Sequence, residues 1–134
     1  MPIDYQRDDD RRLITLTFTE PFSFEEAVNQ AERQSAEGIW TYAVLYDLRA
    51  VSRAASPAQM QEGLSRIELV GAGRPRGPVG VAIAPRLEMF ASGLHYTKAA
   101  GPSRDIEVLL TATQIEAWLA RSAPTRHRSS DGRR

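Results

Sequence analysis

Residues Thr41–Ser56 read TYAVLYDLRAVSRAAS, an apolar strand running into a polar loop and then a helix start. Over Tyr42–Leu48 the residues Tyr42, Val44, Tyr46 and Leu48 share one face. Ala43 and Leu45 share the other, joined at the strand's end by Asp47. A strand that is apolar on both faces is covered on both, as in parallel sheets flanked by helices. Asp47 then stands at the carboxyl end, where open α/β sheets place a ligand or partner site. A plainer role for it is to bond nearby loop amides and shape the turn.

Working outward, Ile3–Arg7 and Leu13–Thr19 read as two strands joined by the acidic turn Asp8-Asp9-Asp10. Leu13, Thr15, Thr17 and Thr19 alternate with Ile14, Leu16 and Phe18, a period of two rich in β-branched residues. The three adjacent carboxylates lack the spaced ligands of a calcium loop, and a solvated turn is expected. Ser23 with Glu26 forms a capping box, with Phe22 and Ala27 as its hydrophobic staple. Phe24, Ala27, Val28 and Ala31 follow at helical spacing, and Gly38 marks the stop.

Ser56-Pro57-Ala58-Gln59 repeats the start signal, with Pro57 at the first helical position. Met60, Leu64, Ile67 and Val70 form the expected buried stripe of that helix. Gly71–Pro78 is a loop. Its glycines do not complete a dinucleotide fingerprint, because position 76 is Arg and the segment leads into a strand. Val79–Ala84 is a second doubly buried strand. A helix carrying Leu87, Phe90, Leu94 and Thr97 follows, stopped at Gly101-Pro102. Asp105–Leu110 is the last strand. Thr113 with Glu116 reads as a third capping box, opening a helix with Ile115, Trp118 and Leu119 inward. The expected fold is a single α/β domain over residues 1–120. Its order is ββαβαβαβα, with a mixed, mainly parallel sheet, an antiparallel edge strand and helices on the faces.

The chain has 134 residues and no net formal charge, with 42% hydrophobic and 25% charged residues. That balance suits one globular domain and carries no nucleic-acid signature. From Arg121 onward Arg121, Arg126, Arg128, Arg133 and Arg134 stand against Asp131 alone, so residues 121–134 read as a basic, disordered tail. No Cys is present, which removes disulfides, thiolate metal sites and a Cys nucleophile. The polar opening MPIDYQRDDDRR is not a signal peptide, and no apolar run reaches spanning length. A cytoplasmic location without an integral membrane segment is the expectation.

Catalytic material is sparse. His127 falls in the tail, and His95 falls on the third expected helix beside Tyr96, as a surface or interface residue. No His pair has zinc-ligand spacing, and no Gly-x-Ser-x-Gly elbow occurs. No catalytic residue, metal or cofactor is assigned. Arg49 and Arg53 follow the central strand and Arg86 follows the next one. Parallel strands place these loops at the same end, beside the Ser56 helix start, whose amides favour anions. The candidate surface is therefore Asp47, Arg49, Ser52, Arg53, Ser56 and Arg86. Guanidinium groups there suit phosphate or carboxylate. Phosphorylation of Ser52 or Ser56 would add negative charge at the same place, while the Ser-Pro-x-Gln pattern already explains Ser56 as a plain cap.

The stretches RLITLTFTEPFSFEEA, YAVLYDLRAV, GPVGVAIAPRLEMF and DIEVLLTATQIEAWL, spanning about Ile3 to Ala120, resemble the SpoIIAA-like fold of STAS domains and STAS/SEC14 relatives. The resemblance implies a small, non-enzymatic regulatory or partner-binding module. Antagonists of this fold carry a phosphorylatable Ser in an Asp-Ser pair. Here that region reads Asp47–Ser56 without such a pair, which sets the chain apart from a phosphorylation switch. SEC14-type relatives imply lipid binding, but this chain is too short for their added helices. The alternative is a binder of a small anionic ligand, a nucleotide or lipid headgroup, between the same loops. A protein partner and a homodimer are both compatible with the pattern.

Overall fold

In the computed structural model, which describes residues 2–53, 56–86, 89 and 105–125, the alternating stretches become strands and the capped stripes become helices. The elements are β1 (Ile3–Asp8), β2 (Leu13–Phe18), α1 (Phe24–Ala36), β3 (Ala43–Leu48), α2 (Pro57–Gly71), β4 (Val79–Ile83), β5 (Ile106–Leu109) and α3 (Ala112–Ser122). The expected helix with Leu87, Phe90, Leu94 and Thr97, its Gly101-Pro102 stop, and both histidines lie outside the described residues. Met89 is described and is buried.

The strands form one sheet in the order β1-β2-β3-β4-β5. β1 pairs antiparallel with β2, and the other pairs are parallel. This is the mixed, mainly parallel sheet with an antiparallel edge strand. The order advances without reversing, so the sheet has no switch point of the kind where α/β ligands usually bind. The carboxyl-end argument for Asp47 loses that support. Right-handed crossovers through a one-way sheet put α1 and α2 on the same face. The two helices indeed pack side by side, and Arg66 of α2 pairs with Glu25 of α1.

Register sorts the sheet residues by face. Ile14, Val44 and Val79 are aligned on the α1–α2 side, and Leu13, Ala43 and Leu45 lie on the other. On that second face Leu13, Ala43, Leu45, Ala82 and Leu109 pack against Ile115, Trp118 and Ala123 of the α3 segment. Gly80 permits this close approach: a Cβ there would stand 2.8 Å from Trp118 Cε2. The central strand is thus covered on both faces, as its apolar pattern requires. Val44 is 0% exposed, and burying such a side chain is worth about 1.5–3 kcal/mol.

The helix starts follow their capping chemistry. Ser23 Oγ accepts from Glu26 N–H at 3.2 Å while Ser23 N–H donates to Glu26 Oε1 at 2.7 Å. Ser56 and Gln59 repeat the exchange at 3.0 and 3.2 Å. The third box lies two residues earlier than the Thr113–Glu116 expectation: Thr111 caps α3, with Gln114 at its third helical position. Gln114 Oε1 accepts from both Leu110 and Thr111 N–H, so the box closes on Thr111 and not on Thr113. α3 also runs past Ala120. Arg121 pairs with Glu107 at 2.7 Å, Ala123 is 0% exposed and its carbonyl accepts from Arg11 Nε.

The acidic turn is exposed but tied down. Asp9 accepts from Tyr42 Oη at 2.6 Å and from Arg7 Nε at 2.7 Å. Those bonds hold its carboxyl below the usual range, Tyr42's contribution being the larger. Glu37, just past α1, accepts from Tyr5 Oη at 2.8 Å and from Arg33 and Arg7, tying the edge strand to α1.

Candidate functional site

Between the sheet and the α1–α2 pair lies a cavity of about 940 Å³, opening at the carboxyl end of the parallel strands. Its inner surface is apolar. Phe18, Tyr46, Leu48, Val81 and Ile83 come from the sheet, Ala27 and Val28 from α1, and Met60, Leu64 and Ile67 from α2. Val51 and Met89 also line it. The volume falls within the roughly 300–1,000 Å³ of small-molecule sites, which are apolar with a few placed polar groups. Here the polar groups lie at the mouth: Glu20, Ser23, Ser52, Arg53 and Gln59.

The cavity explains a feature of α2. Of its expected buried stripe only Met60 is fully buried, while Leu64, Ile67 and Val70 are half-buried. Leu64 and Ile67 line the cavity. Sheet aromatics brace the floor. Phe18 stacks on Tyr46 with ring centroids 6.0 Å apart and meets Phe22 edge-on at 5.0 Å. Behind the floor, Arg76 Nη2 donates to Tyr46 Oη at 3.0 Å and to Gln34 Oε1 at 3.1 Å. The Arg76 guanidinium also lies over the Trp40 ring, 4.9 Å from its centroid. Gln34 is only 2% exposed and donates its amide to the carbonyls of Ile39 and Trp40, so Tyr46 is held by a buried polar network in which Arg76 Nε has no hydrogen-bond partner among the described residues.

At the mouth three loops meet. Ser52 Oγ, after β3, donates to Glu20 Oε1, after β2, at 2.8 Å. The Arg86 guanidinium, after β4, donates to the Ser52 carbonyl. Glu20 is held ionised: the Ser52 hydroxyl contributes most, followed by the backbone N–H groups of Ser52 and Arg53 and the Arg53 charge.

The six residues read from sequence as one surface divide into three places. Ser52, Arg53 and Arg86 converge at the mouth. Asp47 and Arg49 form a self-contained pair: Asp47 accepts from Arg49 Nε at 2.9 Å, Nη2 at 2.8 Å and the backbone N–H at 3.1 Å. Those bonds lower the Asp47 pKa and raise that of Arg49. Asp47 shares its sheet face with Ala43 and Leu45, opposite the cavity, because side chains alternate along a strand. Ser56 is engaged as the α2 cap.

Glu20 was not among the sequence candidates. The signal was present: β2 is parallel to β3, so the loop after β2 shares an end with the loops after β3 and β4. Tyr46, Met60 and Ile67 were read as core, because a cavity lining and a core have the same apolar pattern. Among the described residues no group of three or more His, Asp or Glu could hold a metal ion, and no helix is long and apolar enough to cross a membrane. No family model, curated protein or solved structure matches this chain.

Proposed function

We propose that this domain is a non-catalytic binding module that takes an apolar or amphipathic small molecule into the cavity between the sheet and α1–α2. The single observation that carries this reading is the cavity of about 940 Å³, whose described lining is mainly apolar with polar groups at its mouth. A ligand of matching shape would gain packing along the apolar lining. The carboxylates at hand favour binding over chemistry. Glu20 and Asp47 are both held below the ordinary carboxylate range by donors, which makes them weak bases.

Native mass spectrometry of protein purified from cells, followed by thermal unfolding with dodecan-1-ol, tests it. The expected result is a co-purified apolar molecule or a rise in Tm that saturates with alcohol concentration, since a ligand selective for the native state stabilises by mass action. An empty protein whose Tm ignores dodecan-1-ol and its shorter homologues would refute the reading.

A second reading, the regulatory partner-binding module implied by the STAS resemblance, is supported by the Asp47–Arg49 pair. Asp47 holds the Arg49 fork in place while leaving its side chain 54% exposed, a pre-set cation of the kind that favours protein recognition. Affinity capture from native lysate with wild-type protein and Arg49→Glu tests this. A specific partner lost on charge reversal is expected, and equal recovery by both would remove the loop from the interface.

A further inference from the structure

The mouth of the cavity contains a carboxylate that behaves as a bound ligand would. Glu20 belongs to the loop after β2, yet its side chain reaches the loop after β3 and accepts from Ser52 Oγ at 2.8 Å. The backbone N–H groups of Ser52 and Arg53 and the Arg53 charge act on the same carboxylate. Arg86 meanwhile holds the Ser52 carbonyl from the third loop, fixing the segment that presents these donors. The Ser52 hydroxyl at hydrogen-bond distance, with two neighbouring amides and the Arg53 charge favouring the ionised carboxylate, makes this loop suited to an anion. Glu20, Ser52 and Arg53 all line the cavity, so the concavity sits where the apolar interior meets solvent.

We infer that the Ser52–Arg53 loop is a carboxylate-binding site at the cavity mouth, occupied by the protein's own Glu20, and that the ligand is an amphipathic carboxylic acid whose head displaces Glu20 while its apolar body fills the cavity. This rests on the cavity reading above and adds the head group to it. The site already accepts a carboxylate, which is the reason for naming that chemistry over a neutral head. Glu20 then acts as a tethered competitor. Its local concentration at the donors is high, and its charge repels an incoming anion until exchange is complete. Ligands lacking a charged head enter without displacing it.

The experiment compares dodecanoate, dodecan-1-ol and acetate on wild-type protein and on Glu20→Gln, by titration calorimetry at pH 7.5. Glu20→Gln keeps the size of an exposed side chain while removing its charge, so the fold is retained. Dodecanoate should bind the variant about tenfold tighter than the wild type, the scale of relieving one local competitor. Dodecan-1-ol should bind both equally, and acetate should bind neither measurably. Adding Ser52→Ala to Glu20→Gln should reverse most of the gain for dodecanoate and leave dodecan-1-ol unchanged. Unchanged dodecanoate affinity in Glu20→Gln, with dodecan-1-ol still binding, overturns the carboxylate site and leaves the cavity standing. A gain shared equally by dodecan-1-ol overturns it too, showing that Glu20 blocks the mouth by bulk alone. Failure of both twelve-carbon probes to bind either protein overturns the cavity reading and this inference with it.

Discussion

Asp47 ends the central strand and bonds the Arg49 amide, as turn aspartates do, and it also holds the Arg49 guanidinium. A carboxylate whose folded pKa lies below its unfolded value of about 3.9 stabilises the fold above that value, and the contribution fades as pH falls through the folded pKa. Asp47 is of this kind, lowered chiefly by the Arg49 side chain. Asp47→Asn should therefore cost about 1–2 kcal/mol at pH 7, within the range for losing charge-assisted hydrogen bonds. In urea titrations the gap between wild type and variant should close below about pH 3.9. A gap that persists unchanged at pH 2.5 would assign the effect to something other than the ionised pair. Gln34 and Arg76 make a second case at this scale. Arg76→Met strands Gln34 Oε1 in a position 2% exposed, a loss of about 1–3 kcal/mol for an unsatisfied buried acceptor. A double-mutant cycle with Gln34→Leu should show coupling of about 1 kcal/mol. Strict additivity would mean that the two side chains stabilise the fold independently.

Among the elements, those with local chemical signals were the legible ones. Ser23 with Glu26 and Ser56-Pro57 with Gln59 mark α1 and α2 because a cap is satisfied within one turn, before any tertiary contact. The start of α3 was misplaced because two threonines, Thr111 and Thr113, offer competing caps, and the choice falls to Gln114, which serves Thr111. Which helix covers which face was not legible, since it depends on strand order and not on any single stretch. The seating of α3 is set by Gly80 and Trp118. A methyl at position 80 would meet Trp118 Cε2 at 2.8 Å, Trp118 Cδ2 at 2.9 Å and Leu109 Cδ1 at 3.1 Å. Trp118 is 1% exposed and has no room to retreat. Gly80→Ala should therefore destabilise by about 1–3 kcal/mol through overpacking, even though alanine suits a strand better than glycine. Guanidinium-induced unfolding checks the sign: equal or greater stability would show that α3 sits on the sheet loosely enough to shift.

At the scale of the whole molecule the one-way strand order has two consequences. Among the described elements it gathers α1 and α2 on one face, with α3 on the other, and it brings the loops after β2, β3 and β4 to one end. Ser52, Arg53 and Arg86 are legible from the loops after β3 and β4, whereas Glu20 follows from the parallel pairing of β2 with β3. The cavity was illegible for a different reason. Leu48, Leu64 and Ile67 look like core because they are core residues in composition. Whether facing stripes meet or leave a gap depends on interelement spacing that no local pattern encodes. The gap also has a cost that substitution can recover. Ala27 is a half-buried, small residue on α1 that faces the void. Ala27→Leu places three more carbons against Phe18, Phe22 and the α2 lining, and cavity filling of this kind raises stability by about 0.5–2 kcal/mol. The same carbons take space from any occupant, so the variant should lose about tenfold in affinity for dodecan-1-ol. Stability and binding then move in opposite directions, which separates a ligand cavity from a packing defect. A filled defect would give the stability without touching ligand affinity, and an overfilled site would lose both. Only the first pattern, a higher urea midpoint with weaker alcohol binding, is what a space kept open for a ligand predicts.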